Sequence, residues 1–123
     1  MKLLIVDDEK PILSAMRAYF QTKNYEVDCA SEREEAEALL ANFKYACIIL
    51  DLKLTPLNNA DGLDIVRVSR QHNPDTRIIV LTAYGTAAVE AEARARGADA
   101  FLKKPQPLAE LAQLVMVLTG LPS

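Results

Sequence analysis

The sequence predicts an α/β fold in which five parallel strands alternate with five helices. Four short apolar runs and one half-buried strand-like segment recur along the chain, and segments with apolar residues at helical spacing follow them. This alternation is typical of a parallel sheet with helices on both faces, because right-handed crossovers place the helices above and below it. For five strands we expect the flavodoxin-like (βα)5 order 2-1-3-4-5, with the first and third strands adjacent at the centre.

The first strand is predicted over Leu3–Val6 and the second over Glu26–Ala30, with a helix between them. Pro11 fits the first turn of that helix, where its missing N–H costs nothing. The helix directs one apolar face inward, formed by Ile12, Leu13, Met16, Tyr19 and Phe20.

The second helix is predicted to begin with a capping box, in which the side chains of Ser31 and Glu34 each reach a backbone N–H. Its inward residues are Ala36, Leu39, Leu40 and Phe43. The third strand, Ala46–Leu50, is a continuous apolar run that suits a strand buried on both faces. It stops abruptly at the carboxylate of Asp51.

Residues Leu52–Ala60 are predicted to form a loop, and Asp61 to cap the N-terminus of the third helix. The inward residues of that helix are Leu63, Ile65 and Val66. It ends before Pro74, which forbids its continuation. The fourth strand, Arg77–Leu81, delivers Thr82 to its carboxyl end.

The fourth helix, Thr86–Arg96, is rich in alanine and has Val89 as its large apolar residue, so we expect weak anchoring before it ends at Gly97. The fifth strand is Ala100–Lys103, and the last helix is Leu108–Leu118. Its apolar residues diverge, with Leu111, Val115 and Leu118 on one side and Leu114, Val117 and Leu121 on the other. A helix trimmed from a longer chain or covered by loops, and a dimerisation or partner surface, both explain this excess.

Composition limits the class of protein. The 123 residues suit one domain, and a net charge of −3 gives no drive toward nucleic acid or an anionic membrane. No apolar run approaches the roughly 20 residues that a membrane span needs. Cys29 and Cys47 lie in strand-like runs and are expected to be core residues in a reducing cytosol. We therefore expect a cytoplasmic single domain over residues 1–123.

Five polar residues follow the predicted strands and should meet at one edge of the sheet. Asp7 and Asp8 follow the first strand and Asp51 the third. Their mutual repulsion favours a hard divalent cation such as Mg²⁺, although each alone would more often cap a helix or end a strand. Thr82 and Lys104 add a hydroxyl and an ammonium that suit phosphoryl oxygens. Together these residues indicate phosphoryl transfer to a carboxylate nucleophile.

The chain resembles the receiver domains of two-component response regulators from Met1 to about Leu118. The matching motifs are Leu4-Ile-Val-Asp-Asp-Glu9, Ile49-Leu-Asp-Leu52, Asp61-Gly62, Val80-Leu-Thr-Ala83, Gly97-Ala-Asp99 and Phe101-Leu-Lys-Lys-Pro105. Each motif is short, but their order and spacing together are specific. The resemblance implies a signalling switch, similar to chemotaxis regulators, that assists its own phosphotransfer and dephosphorylation and is not a free-standing enzyme.

By resemblance, Asp51 is the residue that accepts the phosphoryl group from a histidine kinase or a phosphotransfer protein. Mg²⁺, or alternatively Mn²⁺, is expected at Asp8 and Asp51, at Asp7 mainly through water, and at the backbone carbonyl of Lys53. His72, the only histidine, is placed in a turn at the other end of the sheet, so the phosphoryl donor must be another molecule.

The resemblance also implies the parts of the switch. Thr82 and Lys104 hold the phosphoryl oxygens, and the Lys104-Pro105 bond is cis. Phe101 occupies the aromatic switch position, whose ring turns inward as Thr82 moves toward the phosphoryl group. The surface formed by the fourth helix, fifth strand and fifth helix then changes, and it is the expected contact for an output partner or a second copy.

Two departures from the family concern the site. Asp51 and Asp61 are ten positions apart, whereas the family usually has about seven, so the segment Lys53–Ala60 is either a neutral insertion or a lid or partner contact. Lys53 and Tyr84 stand at positions that tune hydrolysis in the family, and their bulk predicts a slowly hydrolysed phosphoryl group.

Other classes of function remain open at this stage. An Mg²⁺-dependent phosphatase with an aspartate nucleophile would want a second aspartate where Lys53 stands. A nucleotide-binding module would need a glycine-rich loop after a strand, and a degenerate receiver could serve as a scaffold. The sequence leaves open the kinase, the output pathway and the oligomeric state. It is equally silent on whether the chain is a single-domain regulator or part of a longer one.

Overall fold

The computed structural model describes residues 1–51, 59–83 and 85–120. Its elements in chain order are β1 (Lys2–Val6), α1 (Lys10–Thr22), β2 (Glu26–Ala30), α2 (Arg33–Asn42), β3 (Cys47–Asp51), α3 (Asn59–His72), β4 (Arg77–Thr82), α4 (Ala87–Arg96), β5 (Ala100–Lys103) and α5 (Leu108–Thr119). The five strands are parallel and lie in the order β2-β1-β3-β4-β5. The predicted fold class and strand order are therefore confirmed.

The register brings the carboxyl ends of the central strands to one edge. Val6 of β1 lies beside Leu50 of β3, and Asp51 lies beside Leu81 of β4. Thr82 pairs with Lys103 of β5. Asp51 and Thr82 are the last residues of their strands, so backbone pairing fixes their positions.

Each face of the sheet has its own apolar core. Helices α1 and α5 cover one face, with a cluster that includes Leu13, Met16, Phe20, Leu111, Ala112 and Val115. Helices α2, α3 and α4 cover the other, with Ala36, Leu40, Leu63, Ile65, Val66 and Ala93. Burial on both faces explains why β1, β3 and β4 read as continuous apolar runs.

Two predictions about α2 are wrong. The Ser31 hydroxyl donates to Glu35 Oε1 at 2.7 Å, so Glu35 replaces Glu34 as its partner, and the helix begins after Glu32 without a side-chain cap. Phe43 caps the C-terminus of the helix with 47% of its surface exposed. The Lys2 ammonium lies 3.8 Å above its ring, a cation–π contact that suits a half-exposed aromatic residue.

The start of α3 also differs from its prediction. The helix begins at Asn59, so Asp61 lies inside it and is not its N-cap. Asn59 and Ala60, which were assigned to the loop, are helical. Predictions for Lys53 and Tyr84 lie outside the described residues, as does the one for Leu121.

The expected weak anchoring of α4 is confirmed, since Ala93 is its buried residue. Thr86 caps its N-terminus by accepting a hydrogen bond from the Val89 N–H at 3.2 Å. Gly97 ends the helix with φ of +120°, a conformation that glycine adopts without strain.

Both cysteines were predicted to be core residues, and one of them is. Cys47 is fully buried, and burial raises the pKa of its thiol to about 12, while Cys29 is half-buried. Within the described residues, every helix is too short or too polar to cross a membrane.

Candidate functional site

Three carboxylates lie together at the carboxyl edge of the sheet. Asp7 is buried, with 3% of its surface exposed, Asp51 is half-buried and Asp8 is exposed. One oxygen of each carboxylate lies within 4.8 Å of the others. The strand order predicted this meeting, because β1 and β3 are neighbours.

The backbone around Asp7 holds its side chain in place. The Asp7 N–H donates to the Ala30 carbonyl oxygen of β2 at 3.1 Å, which extends the ladder beyond β1. The Glu9 N–H donates to Asp7 Oδ1 at 2.9 Å, just before α1 begins. One carboxylate oxygen of Asp7 is thus used in the turn, and the other faces the cluster.

Lys104 neutralises part of the negative charge. Its Nζ lies 2.9 Å from Asp7 Oδ2 and 3.2 Å from Asp51 Oδ1. The Lys104 N–H donates to the Thr82 carbonyl oxygen at 2.8 Å, which ties it to the end of β4. The Lys104-Pro105 bond is cis.

Burial and charge shift the protonation of both partners. Burial raises the pKa of the Asp51 carboxyl above its usual range, and the neighbouring Asp7 charge adds to this, while Lys104 offsets part of it. Burial works to lower the pKa of the Lys104 ammonium, but its contacts with Asp7 and Asp51 outweigh this and raise it. Lys104 is therefore a permanent cation at neutral pH, and Asp51 is a carboxylate that gains from added positive charge.

The donor set fits a hard divalent cation. Three carboxylates at this separation offer oxygen ligands, and a cation there would relieve the repulsion that raises the pKa of Asp51. The exposed position of Asp8 leaves room for water on the metal. The Lys53 carbonyl, the fourth predicted ligand, lies outside the described residues.

Thr82 and Phe101 lie on neighbouring strands beside the cluster. Thr82 is fully buried at the end of β4, and Phe101 is half-buried on β5 beside Val80. Gly85 lies in the connection from β4 to α4, and a methyl group there would lie 2.8 Å from Phe101 Cε1 and 3.1 Å from Thr82 Cγ2. A side chain at position 85 would push on both, a close approach that the sequence alone did not reveal.

A cleft of about 310 Å³ opens beside the carboxylates on the side of α2 and α3. Its lining includes Asp7, Asp8, Asp51, Gly62 and Ile65, together with residues 31–34. From the sequence, the segment 31–34 was recognisable only as the start of a helix. The strand order indicates that this segment belongs to the site. Because β2 lies beside β1, the residues that follow its carboxyl end reach the same edge of the sheet.

The fold and the acidic cluster define the class as a doubly wound α/β protein with a candidate metal site at the carboxyl ends of its strands. The family model described as response regulator receiver domain matches residues 3–116. The chain belongs to this family.

Two curated relatives are response regulators. The chain is 32% identical over 114 residues to the photosynthetic apparatus regulatory protein RegA of Cereibacter sphaeroides, covering 93% of this chain and 60% of RegA. It is 38% identical over 104 residues to the transcriptional regulatory protein SrrA of Staphylococcus aureus, covering 85% of this chain and 42% of SrrA. The chain thus spans about half the length of these relatives.

A solved structure of a response regulator from Burkholderia pseudomallei is also similar. It has a TM-score of 0.85 and 27% identity, and the match covers 97% of this chain and 68% of that one. That structure contains a phosphorylated aspartic acid and a calcium ion.

Membership of the family defines the general role of the chain. It is a receiver domain of the two-component type, a signalling switch and not a classical enzyme. Receiver domains bind Mg²⁺ at an acidic pocket, and the Asp7, Asp8 and Asp51 cluster is compatible with this.

Proposed function

We propose that Asp51 accepts a phosphoryl group from the phosphohistidine of a histidine kinase or a phosphotransfer protein. The observation that carries this is the placement of the Asp51 carboxylate, within 4.8 Å of two other carboxylates and 3.2 Å from the Lys104 ammonium. The family match and the phosphorylated aspartic acid of the Burkholderia pseudomallei regulator support it. The domain, residues 1–123, would act in the cytoplasm, without direct contact to nucleic acid or membrane.

In the proposed transfer, an oxygen of the Asp51 carboxylate attacks phosphorus while the phosphorus–nitrogen bond of the donor breaks. The electron pair of that bond returns to the ring nitrogen, and the ring leaves as neutral imidazole when its other nitrogen carries a proton. Lys104 donates to a phosphoryl oxygen from its position beside Asp51, and the Thr82 hydroxyl donates to a second. These donors stabilise charge that is spread over the outer oxygens.

Asp8 and Asp51 would hold Mg²⁺, or Mn²⁺, through their side chains, Asp7 mainly through water, and Lys53 through its carbonyl. When bound, the cation neutralises charge on the carboxylates and on the phosphoryl oxygens. Asp7 is suited to a water-mediated role because its buried carboxylate already accepts from the Glu9 N–H and from Lys104.

We further propose that phosphorylation acts through Thr82 and Phe101 on the surface of α4, β5 and α5. The phosphoryl group favours the arrangement in which Thr82 is drawn toward it, and so shifts the population. The half-buried Phe101 ring and Thr82 lie close to the same point, since a methyl group added at Gly85 would approach both, so a movement of Thr82 can change the packing of the ring. The changed surface would bind an output partner or a second copy.

The rate of loss of the phosphoryl group is a separate proposal. Lys53 and Tyr84 would obstruct the attacking water and lengthen the lifetime of the acyl phosphate. Replacing both with alanine is expected to shorten that lifetime, measured as loss of labelled phosphoryl from the purified chain. An unchanged lifetime would refute the obstruction.

The segment 53–60 leaves two roles open, a neutral insertion or a lid beside the site. Removal of three residues from it separates them. Unchanged rates of phosphotransfer and dephosphorylation would mean a neutral insertion, and altered rates would mean a lid or a partner contact.

Incubation with Mg²⁺ and acetyl phosphate tests the proposed function. The chain should gain one phosphoryl group that is stable to acid and labile to base, and Asp51→Asn should abolish the gain. Asp75→Asn is the matched control, because Asp75 is an exposed aspartate in the turn before β4, at the opposite end of the sheet. Steady hydrolysis of a phosphomonoester would instead indicate a phosphatase, and no gain at all would indicate a scaffold.

A further inference from the structure

Helix α4 is held to the rest of the molecule by few apolar contacts. Ala93 is its buried residue, and Val89 is its half-buried one in the core on that face of the sheet. A single alanine methyl group and part of a valine bury little apolar area. Polar contacts between α4 and its neighbours therefore contribute more to fixing its position, relative to apolar contacts, than they do for a well-buried helix.

One of those polar contacts reaches Asp64 of α3, on which two further arginines converge. Arg96, in the last turn of α4, places Nη1 3.2 Å from Asp64 Oδ1. Arg33, the first residue of α2, places Nη1 3.2 Å from Asp64 Oδ2. Arg67 of α3 lies at 3.8 Å from Oδ1. One carboxylate thus joins three helices on the same side of the sheet.

The outer ends of this network are also paired. Arg96 Nε lies 2.9 Å from Glu92 and Arg33 Nε lies 2.9 Å from Glu37, each one turn away on its own helix. These pairs fix the planar guanidinium groups toward Asp64. The Asp64 and Arg96 side chains are 29% and 31% exposed, so water and salt screen their contact less than a fully exposed pair.

The same helix is connected directly to the candidate site. Thr82 ends β4 and α4 begins at Ala87, so residues 83–86 are the whole connection. A shift of Thr82 toward Asp51 must be absorbed by this short segment or passed to α4. In the described arrangement, Lys104 is paired with Asp51 at 3.2 Å, a contact that a phosphoryl group on Asp51 would replace.

We propose that Asp64 and its three arginines form a brake on the switch. The network stabilises the described position of α4 against the position that a phosphoryl group on Asp51 favours. Weakening the Arg96–Asp64 contact lowers the free energy needed to reach the activated arrangement, and ligands selective for that arrangement bind more tightly. This inference rests on the proposed function, because it concerns regulation of the same site.

The test compares two arginines of the last turn of α4. Arg96→Gln removes the contact with α3, whereas Arg94→Gln removes a pair with Glu90 inside α4, at 3.0 Å, and an Arg94 contact of 3.5 Å to the Asp99 carbonyl oxygen. Both variants lose one positive charge from the same helix turn. The probe is beryllofluoride with Mg²⁺, titrated against the purified chain and followed by amide chemical shifts.

Arg96→Gln is expected to bind beryllofluoride about two- to fivefold more tightly than the parent chain, as for a half-exposed ion pair. Arg94→Gln is expected to match the parent. Asp64→Asn removes all three contacts and should tighten binding at least as much. Raising the ionic strength from about 0.05 to 0.5 M should tighten binding in the parent more than in Asp64→Asn, because salt screens the network.

Equal affinity in Arg96→Gln and the parent would overturn the inference, as would an equal gain in Arg94→Gln. Acetyl phosphate separates this failure from that of the proposed function. A parent chain that gains a phosphoryl group on Asp51 while Arg96→Gln behaves like it refutes the brake alone. A parent chain that neither gains the group nor binds beryllofluoride refutes the proposed function and the brake with it.

Discussion

Helices α4 and α5 flank the same edge strand, β5, but they are attached to the sheet in different ways. Helix α5 buries Leu111, Ala112 and Val115 in the core that it shares with α1. Helix α4 buries Ala93 and is tied to α3 by the ion pair of Arg96 with Asp64 and, at its C-terminal end, by the Arg70 guanidinium, which donates to the Gly97 carbonyl oxygen. One helix is held by a large apolar area, and the other by a small apolar area and a few directional polar contacts.

This difference assigns stability of the fold to one helix and conformational change to the other. Apolar burial scales with area and has no preferred direction, so losing it lowers the free energy of unfolding in any arrangement of the helix. Ion pairs of moderate exposure contribute little to stability and can be broken and remade. The α5 side is therefore suited to keeping the domain folded, and the α4 side to changing shape, in agreement with the low local stability of elements that move.

The largest expected effect tests the α5 side. Leu111→Ala should lower the free energy of unfolding by about 3 kcal/mol, because Leu111 is 2% exposed and its loss leaves a cavity. Val89→Ala on α4 should cost less than about 1 kcal/mol. Urea denaturation of both variants measures the difference, and equal costs would contradict the comparison.

The second-largest expected effect concerns Gly97, at the C-terminal end of α4. Gly97→Ala should cost about 2 kcal/mol, because φ is +120° and a methyl group would lie 2.9 Å from Arg70 Nε. The Arg70 guanidinium donates to the Gly97 carbonyl oxygen at 2.7 Å and so anchors the end of α4 to α3.

Gly120→Ala is the matched control for Gly97→Ala. Gly120 also has positive φ, +73°, but among the described residues other than its chain neighbours no atom lies within 4 Å of an added methyl group. It should cost only about 1 kcal/mol, the backbone penalty. Thermal unfolding of the two variants compares them. Equal losses would mean that the contact with Arg70 has no part in fixing this end of α4.

The smallest expected effect concerns the acidic cluster at the ends of the strands. Its carboxylates suit metal binding, but their mutual repulsion lowers the free energy of unfolding. Without metal, Asp51→Asn should raise the free energy of unfolding at neutral pH by about 1 kcal/mol. Carboxylates some 5 Å apart repel by roughly 3 kcal/mol at an effective dielectric constant of about 20, and Lys104 offsets much of this.

The sign of the pH dependence follows from the raised pKa of Asp51. Since the folded state binds this proton more tightly than the unfolded chain, the ionised carboxylate opposes folding above the folded pKa. The advantage of Asp51→Asn should therefore shrink as the pH falls toward about 4, the unfolded value. Mg²⁺ should stabilise the parent chain and leave the variant less affected. A variant less stable than the metal-free parent at neutral pH would contradict this account.

The elements with strong periodic signals were predicted well. Apolar runs identified four of the strands, the half-buried segment Glu26–Ala30 gave the fifth, and the strand order followed from rules for parallel sheets. Asp7, Asp8 and Asp51 were expected to meet because residues at the carboxyl ends of adjacent strands cannot do otherwise. Side chains whose location is fixed by backbone pairing were therefore predictable from the sequence.

Contacts that depend on rotamers or on exact helix ends were not predictable. Spacing alone could not tell whether Ser31 would pair with Glu34 or Glu35, since both lie within one turn. Asp61 looked like an N-cap because the helix was expected to begin at Gly62, three residues later than it does. The convergence of Arg33, Arg67 and Arg96 on Asp64 needs the packing of three helices, which no local pattern contains.

Reduction of the phosphorylated chain with borohydride tests the central claim most directly. After treatment with Mg²⁺ and acetyl phosphate, an acyl phosphate on aspartate is reduced to homoserine, and peptide mass spectrometry locates it. Our account predicts homoserine at position 51, and none when Asp51→Asn is treated in the same way. Homoserine at position 7 or 8, or its absence from the parent chain, would contradict the assignment of Asp51 as the phosphoacceptor.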